Sequence, residues 1–128
     1  LVTCIGATIG KAGLIRRAGA CNQQINAIIA DDKIAIPEFV YYQIISHDFQ
    51  IKIKENASST TLPILNKSKF SSLEFALPSL AVQNAIVDAI ESRLSKADLL
   101  DKAVEDALQK AEQTKQSILK KAFRGELV

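Results

Sequence analysis

Residues 80–123 read LAVQNAIVDAIESRLSKADLLDKAVEDALQKAEQTKQSILKKAF, with no glycine or proline to interrupt them. Ala, Leu, Lys, Gln and Glu dominate, and these residues lose little on entering a helix. The stretch predicts one long helix, or two with a break near Ser95. At a rise of about 1.5 Å per residue a single helix would run on the order of 60 Å, further than a small domain can cover. Setting Ile90 at heptad position a puts Ala97, Val104, Ala111 and Ile118 at the following a positions, and Ile86, Leu100 and Ala107 at d. Arg93, Thr114 and Lys121 interrupt the d row. Such a seam requires a partner helix. Its alanines let two backbones approach closely, and Leu94, Leu99 and Leu108 widen the stripe beyond a minimal two-stranded seam.

Charge gives this helix a direction. Residues 80–106 carry six acids against three bases, whereas residues 107–128 carry two acids against five bases. An antiparallel partner of similar sequence would match opposite charges, and the same polarity also suits the helix's own dipole.

Upstream of Pro78 the pattern changes to short apolar runs punctuated by glycine. Leu1 to Ile5, Leu14 to Ile15 and Ile25 to Ala30 predict three short strands, with turns at Gly6, Gly10, Gly13 and Gly19. Pro37 suits a first helical turn, Glu38 favours its positive end, and Val40, Tyr41, Ile44 and Ile45 follow helical spacing. A helix is therefore expected from Pro37 to about Asp48, resuming toward Lys54. The small polar residues Asn56 to Thr61 predict a loop, and the alternation in Leu73 to Leu77 predicts a final strand. The expected class is α+β: a small mixed strand and helix portion over residues 1–79, then a spacer or dimerisation helix over residues 80–128 that forms an antiparallel coiled coil.

The whole chain has 128 residues, 48% of them hydrophobic and 23% charged, which suits one folded domain with an appendage and excludes a disordered or low-complexity class. No run approaches the roughly 20 apolar residues of a membrane span, and the start lacks a basic-then-apolar leader, so a soluble cytoplasmic protein is expected. The apolar opening Leu1 to Ile5 reads as a strand already under way, and there is no methionine, so a piece of a longer protein is expected. Cys4 and Cys21 are too few for a disulfide framework and read as reduced thiols. With His47 the only histidine, a His-rich metal site or a Ser-His-Asp triad has little to build on, and the carboxylates form no isolated pair for acid–base chemistry. No catalytic constellation, metal or cofactor is expected.

Gly6-Ala7-Thr8-Ile9-Gly10-Lys11 invites comparison with a nucleotide phosphate loop, but the glycines are one residue too close and Ala12 stands where a Ser or Thr would hold magnesium. A glycine-punctuated turn is the better reading. The net charge of +2 lies wholly upstream of the long helix, and the first 30 residues hold Lys11, Arg16 and Arg17 with no acid. With Asn22, Gln23 and Gln24 these form a candidate DNA contact, since Arg and Lys meet phosphates or guanine while Asn and Gln can pair with adenine. Ser58, Ser59, Thr60 and Thr61, with Lys52, Lys54, Lys67 and Lys69, form a second candidate surface for phosphate oxygens. Tyr41 and Tyr42 could stack on bases, although helical spacing assigns at least one to the core.

Four stretches together carry a resemblance: Thr8 to Gly13 (TIGKAG), Asn22 to Ile25 (NQQI), Leu77 to Gln83 (LPSLAVQ) and Gln116 to Leu127 (QSILKKAFRGEL). The chain resembles the carboxy-terminal part of a type I restriction-modification specificity subunit, the latter part of its second target-recognition domain followed by the distal conserved helix. One departure is Val82, where the family usually has glutamate. The resemblance implies a non-catalytic subunit that neither cleaves nor methylates, reads one half of a bipartite site in double-stranded DNA, and works with methyltransferase (M) and restriction (R) subunits. It also implies paired antiparallel helices as a spacer between two recognition domains. Without the other half, two copies are expected to pair through Ile86, Ile90, Ala97, Leu100, Val104, Ala107, Ala111 and Ile118. No membrane partner is expected. The competing reading is a structural coiled-coil adaptor whose front portion binds protein rather than DNA.

Overall fold

The computed structural model describes residues 1–58 and 61–127. The chain divides into two compact units, Leu1–Asp88 and Ala89–Val128, with the division falling inside the last helix. The elements in order are β1 (Val2–Thr3), β2 (Ile25–Asn26), α1 (Pro37–Ile45), α2 (His47–Asn56), α3 (Lys67–Ser71) and α4 (Leu80–Phe123).

The first unit is organised around residues 1–6. β1 pairs antiparallel with β2, Val2 opposite Asn26 and Thr3 opposite Ile25. Val2 also bridges to Ala12 and Ile5 to Ile64, so this short stretch meets three other pieces of chain. Val2 and Cys4 face inward and are buried, and they join Val40, Ile44, Phe49, Ile53, Leu65 and Phe70 in one apolar cluster. Two-residue strands contribute few ladder hydrogen bonds, so the unit depends on this shared burial more than on its sheet.

Two expected strands are absent. Residues Leu14 and Ile15 form no ladder, and Leu73 to Leu77 runs without a strand partner among the described residues. The alternation in the latter has another cause: Leu73 and Phe75 turn toward the core, and Phe75 sits edge-on to Phe49 with ring centroids 5.9 Å apart. The helical segments come closer to expectation. Pro37 opens α1 at its first turn, as its fixed φ and missing N–H favour. Ser46 separates α1 from α2 and serves both, its hydroxyl donating to Gln43 O at 2.7 Å and accepting from Phe49 N at 3.4 Å. Asn66 caps the short α3, which the sequence reading did not anticipate, by accepting from Lys69 N at 2.9 Å.

α4 is one continuous helix of 44 residues with no break at Ser95. It stops in a Schellman arrangement: Gly125 is left-handed (φ 71), its N–H reaches Ala122 O, and the Glu126 N–H reaches Lys121 O. Its first turns belong to the first unit, where Gln83 and Val87 are buried. Gln83 is fully enclosed and bonds three backbone groups: Oε1 accepts from Ile36 N at 2.9 Å, and Nε2 donates to Ile34 O at 2.8 Å and Pro78 O at 2.7 Å. Among the described residues the second unit, the rest of α4 and the turn after it, buries no side chain. Leu99, Leu100, Val104 and Leu108 are all about two-thirds exposed, and Phe123 is 90% exposed.

Candidate nucleic-acid interface

Backbone hydrogen bonds of Thr3, Cys4 and Gly6 gather three turns at one end of β1. The Cys4 N–H donates to Gln24 O at 2.8 Å, which seats the polar turn at 22–24, and the Gly6 N–H donates to Pro63 O at 2.9 Å, which seats the loop before α3. The third is the turn after Gly6. Thr3 O accepts from Gly10 N and Thr3 N donates to Lys11 O, both at 2.8 Å, so the chain between them folds into a closed loop. Gly6 (φ 82) and Gly10 (φ 85) lie in the left-handed region, where any side chain would be strained. At Gly10 a Cβ would also collide with the Gln50 carboxamide. That carboxamide holds the turn against α2, with Nε2 donating to Gly10 O at 2.9 Å and to Ile44 O at 2.8 Å.

The side chains selected from the sequence fall into different positions within this frame. Lys11 and Arg17 are exposed and form no ion pair among the described residues, whereas Arg16 is held by Glu38 at 2.8 Å. Asn22 spends its side-chain oxygen on the Gln24 N–H at 3.0 Å, shaping the turn, while Gln23 and Gln24 are exposed beside it. Ser58 closes its own loop, with both its N–H and its hydroxyl donating to Ile64 O. Thr61 is exposed, and Ser59 and Thr60 lie outside the described residues. Lys52 and Lys69 are committed to the backbone carbonyls of Glu74 and Asn56, so they are less free for phosphate than Lys54 and Lys67. Tyr41 and Tyr42 are both half-buried, their rings tilted against each other at 5.4 Å, which leaves neither as an open stacking platform.

The two thiols sit in contrasting places. Cys21 is exposed, whereas Cys4 is buried with its sulfur 3.1 Å from the donating Asn26 amide, and burial pushes its thiol above the ordinary range against that hydrogen bond. Buried and protonated, Cys4 is a core residue. Among the described residues no three His, Cys, Asp or Glu side chains cluster in a way that could hold a metal ion. Two residues that hold these turns and β1 together, Gln50 and Asn26, carry no sequence signal, because each has a partner distant in the chain.

Comparison with known proteins adds to this geometry. The family profile described as a type I restriction modification DNA specificity domain matches residues 1–110. The chain belongs to this specificity family. It is 33% identical over 129 aligned residues to the type I restriction enzyme EcoBI specificity subunit of Escherichia coli, an alignment covering 99% of this chain and 27% of that protein. It is 35% identical to the EcoDI specificity subunit of Escherichia coli over 70% of this chain and 20% of the relative. The StySPI specificity subunit of Salmonella potsdam is 32% identical over 85% of this chain and 24% of its own length. The chain thus spans about a quarter of the length of these relatives. No solved structure matches it. As a member of the specificity family, the chain carries the α+β fold with a long helix that its sequence predicts, and among the described residues no helix is long and apolar enough to cross a membrane.

Proposed function

We propose that this chain supplies part of the DNA-reading function of a type I restriction-modification specificity subunit and does no catalysis itself. Residues 1–79 form part of a target-recognition domain that reads one half of a bipartite site in double-stranded DNA. Residues 80–128 form the spacer that docks methyltransferase subunits and, through them, the restriction subunit of the assembly in the cytoplasm. The observation that carries the reading is the gathering of three turns, bearing Lys11, Gln23, Gln24 and Thr61, at one end of a hydrogen-bonded segment in a member of this family. Loops mounted on a packed frame are suited to reach base edges, with lysine fixing register on phosphate and glutamine able to pair with adenine. Base contacts are assigned to Gln23 and Gln24, and backbone contacts to Lys11, Arg17 and Thr61.

The exposed stripe of α4 supports the spacer role. A helix of fixed length sets the number of unread base pairs between two half-sites, as protein geometry does in dimeric DNA readers. Two copies of this chain pair through the stripe in opposite directions, so that the acidic first half of one helix lies along the basic second half of the other. The test is binding of duplex DNA by fluorescence anisotropy across salt. Charge-mediated DNA binding loses affinity steeply between about 50 and 200 mM salt. Retention unchanged across that range, or none at the lower end, would favour an adaptor that docks protein.

A further inference from the structure

Beside the turn after Gly6 lies an open cleft lined by both Lys11 and Lys54 of α2. Ile9, Ala12 and Ile45 give its lining an apolar part, and no carboxylate lines it among the described residues. Neither lysine's ammonium makes an ion pair or a hydrogen bond among the described residues, in contrast to the side chains of Arg16, Lys52 and Lys69. Resting on the DNA reading above, we infer that this cleft seats a backbone phosphate of duplex DNA between Lys11 and Lys54.

The geometry is built rather than incidental. Gln50 bonds the Gly10 carbonyl and so locks the turn carrying Lys11 onto α2. Lys54 stands four residues after Gln50 on that helix, one turn further along the same face, so the residue that anchors the turn also places the second lysine at its side. Ala7 lines the same cleft, and its backbone amide donates to nothing among the described residues. Two uncompensated ammonium groups lining one cleft repel each other, so an anion that bridges them gains from both. A phosphodiester is such an anion, and contacts of this kind position a reader without discriminating sequence.

The experiment measures binding of the full chain to two duplexes of unrelated sequence, as a function of salt, for the native protein, Lys11→Ala, Lys54→Ala, the double variant and Arg16→Ala. Each lysine removed should lower the slope of log affinity against log salt by about 1, and the double variant by about 2, equally on both duplexes. Lys11→Arg and Lys54→Arg should restore the slope, and Arg16→Ala should leave it unchanged. Both lysines are exposed, so thermal unfolding of the variants should match the native chain. If the native chain binds with a steep salt slope that the double variant keeps, the phosphate seat is wrong and the DNA reading stands. A fall produced by only one lysine overturns the shared seat. Absence of binding by the native chain even at about 20 mM salt removes the DNA reading and the seat together.

Discussion

Replacing Gln83 with leucine tests how the start of α4 is fastened to the first unit. Leucine keeps most of the side-chain volume, so no large cavity confuses the result. It removes three hydrogen bonds at once and leaves Ile36 N–H, Ile34 C=O and Pro78 C=O without their partner in a fully enclosed position. An orphaned buried polar group costs about 1–3 kcal/mol, and the added apolar burial returns part of that, so the expected net loss is about 4 kcal/mol. For a unit of this size the corresponding fall in Tm is roughly 20 °C. α4 would dominate far-UV dichroism, so the unfolding signal should be tyrosine fluorescence, with Tyr41 and Tyr42 on α1 a few residues beyond Ile36. Gln83→Glu sharpens the test. Its carboxylate could still accept from Ile36 N–H but would face two carbonyl oxygens, which raises its folded pKa above the unfolded value near 4.3. The unfolded state then holds fewer protons than the folded one between those two values, and stability falls there by up to about 1.4 kcal/mol per pH unit. A loss under about 1 kcal/mol for Gln83→Leu, or a Tm for Gln83→Glu that ignores pH between 4 and 8, would refute the clamp.

Gly10→Ala should cost at least about 2 kcal/mol in urea unfolding, from left-handed strain at φ 85 and displacement of Gln50 from the turn, whereas Gly13→Ala, with nothing near its Cβ, should cost under about 1 kcal/mol. Reaction with a thiol reagent at neutral pH should modify Cys21 within minutes and Cys4 only on unfolding, and equal rates at the two would contradict the buried position of Cys4. Because the folded Cys4 thiol ionises above its unfolded range, the unfolded state releases that proton first, so stability should decline as pH rises past about 8.5. Cys4→Ala should abolish that decline. Val104→Lys with Ile118→Lys should convert a helix-paired dimer to monomer by light scattering while leaving the tyrosine unfolding transition in place. A native chain that is already monomeric at tens of micromolar would end the pairing proposal.

How far these features could be read in advance follows from the range of the interactions behind them. The span of α4 was legible, because helix propensity and the absence of breakers act over a few neighbours, whereas its continuity through Ser95 was left open. The turn character of the Gly6 to Lys11 stretch was legible for the same reason, as was the helical pattern after Pro37. Asn66 and Ser46 announce their caps only once the following helices are known, so α3 was missed and the α1–α2 junction left vague. The Leu73 to Leu77 alternation was misread because period-two burial needs only one apolar neighbour surface, whereas a strand needs a backbone partner as well. The sorting of the basic residues had no local signal at all. Arg16 finds Glu38, and Gln50 pins Gly10 beside Lys54, through contacts between positions tens of residues apart. Short-range chemistry thus set the long helix, the glycine turns and the likeness to the specificity family, while long-range packing chose which charges stay unpaired.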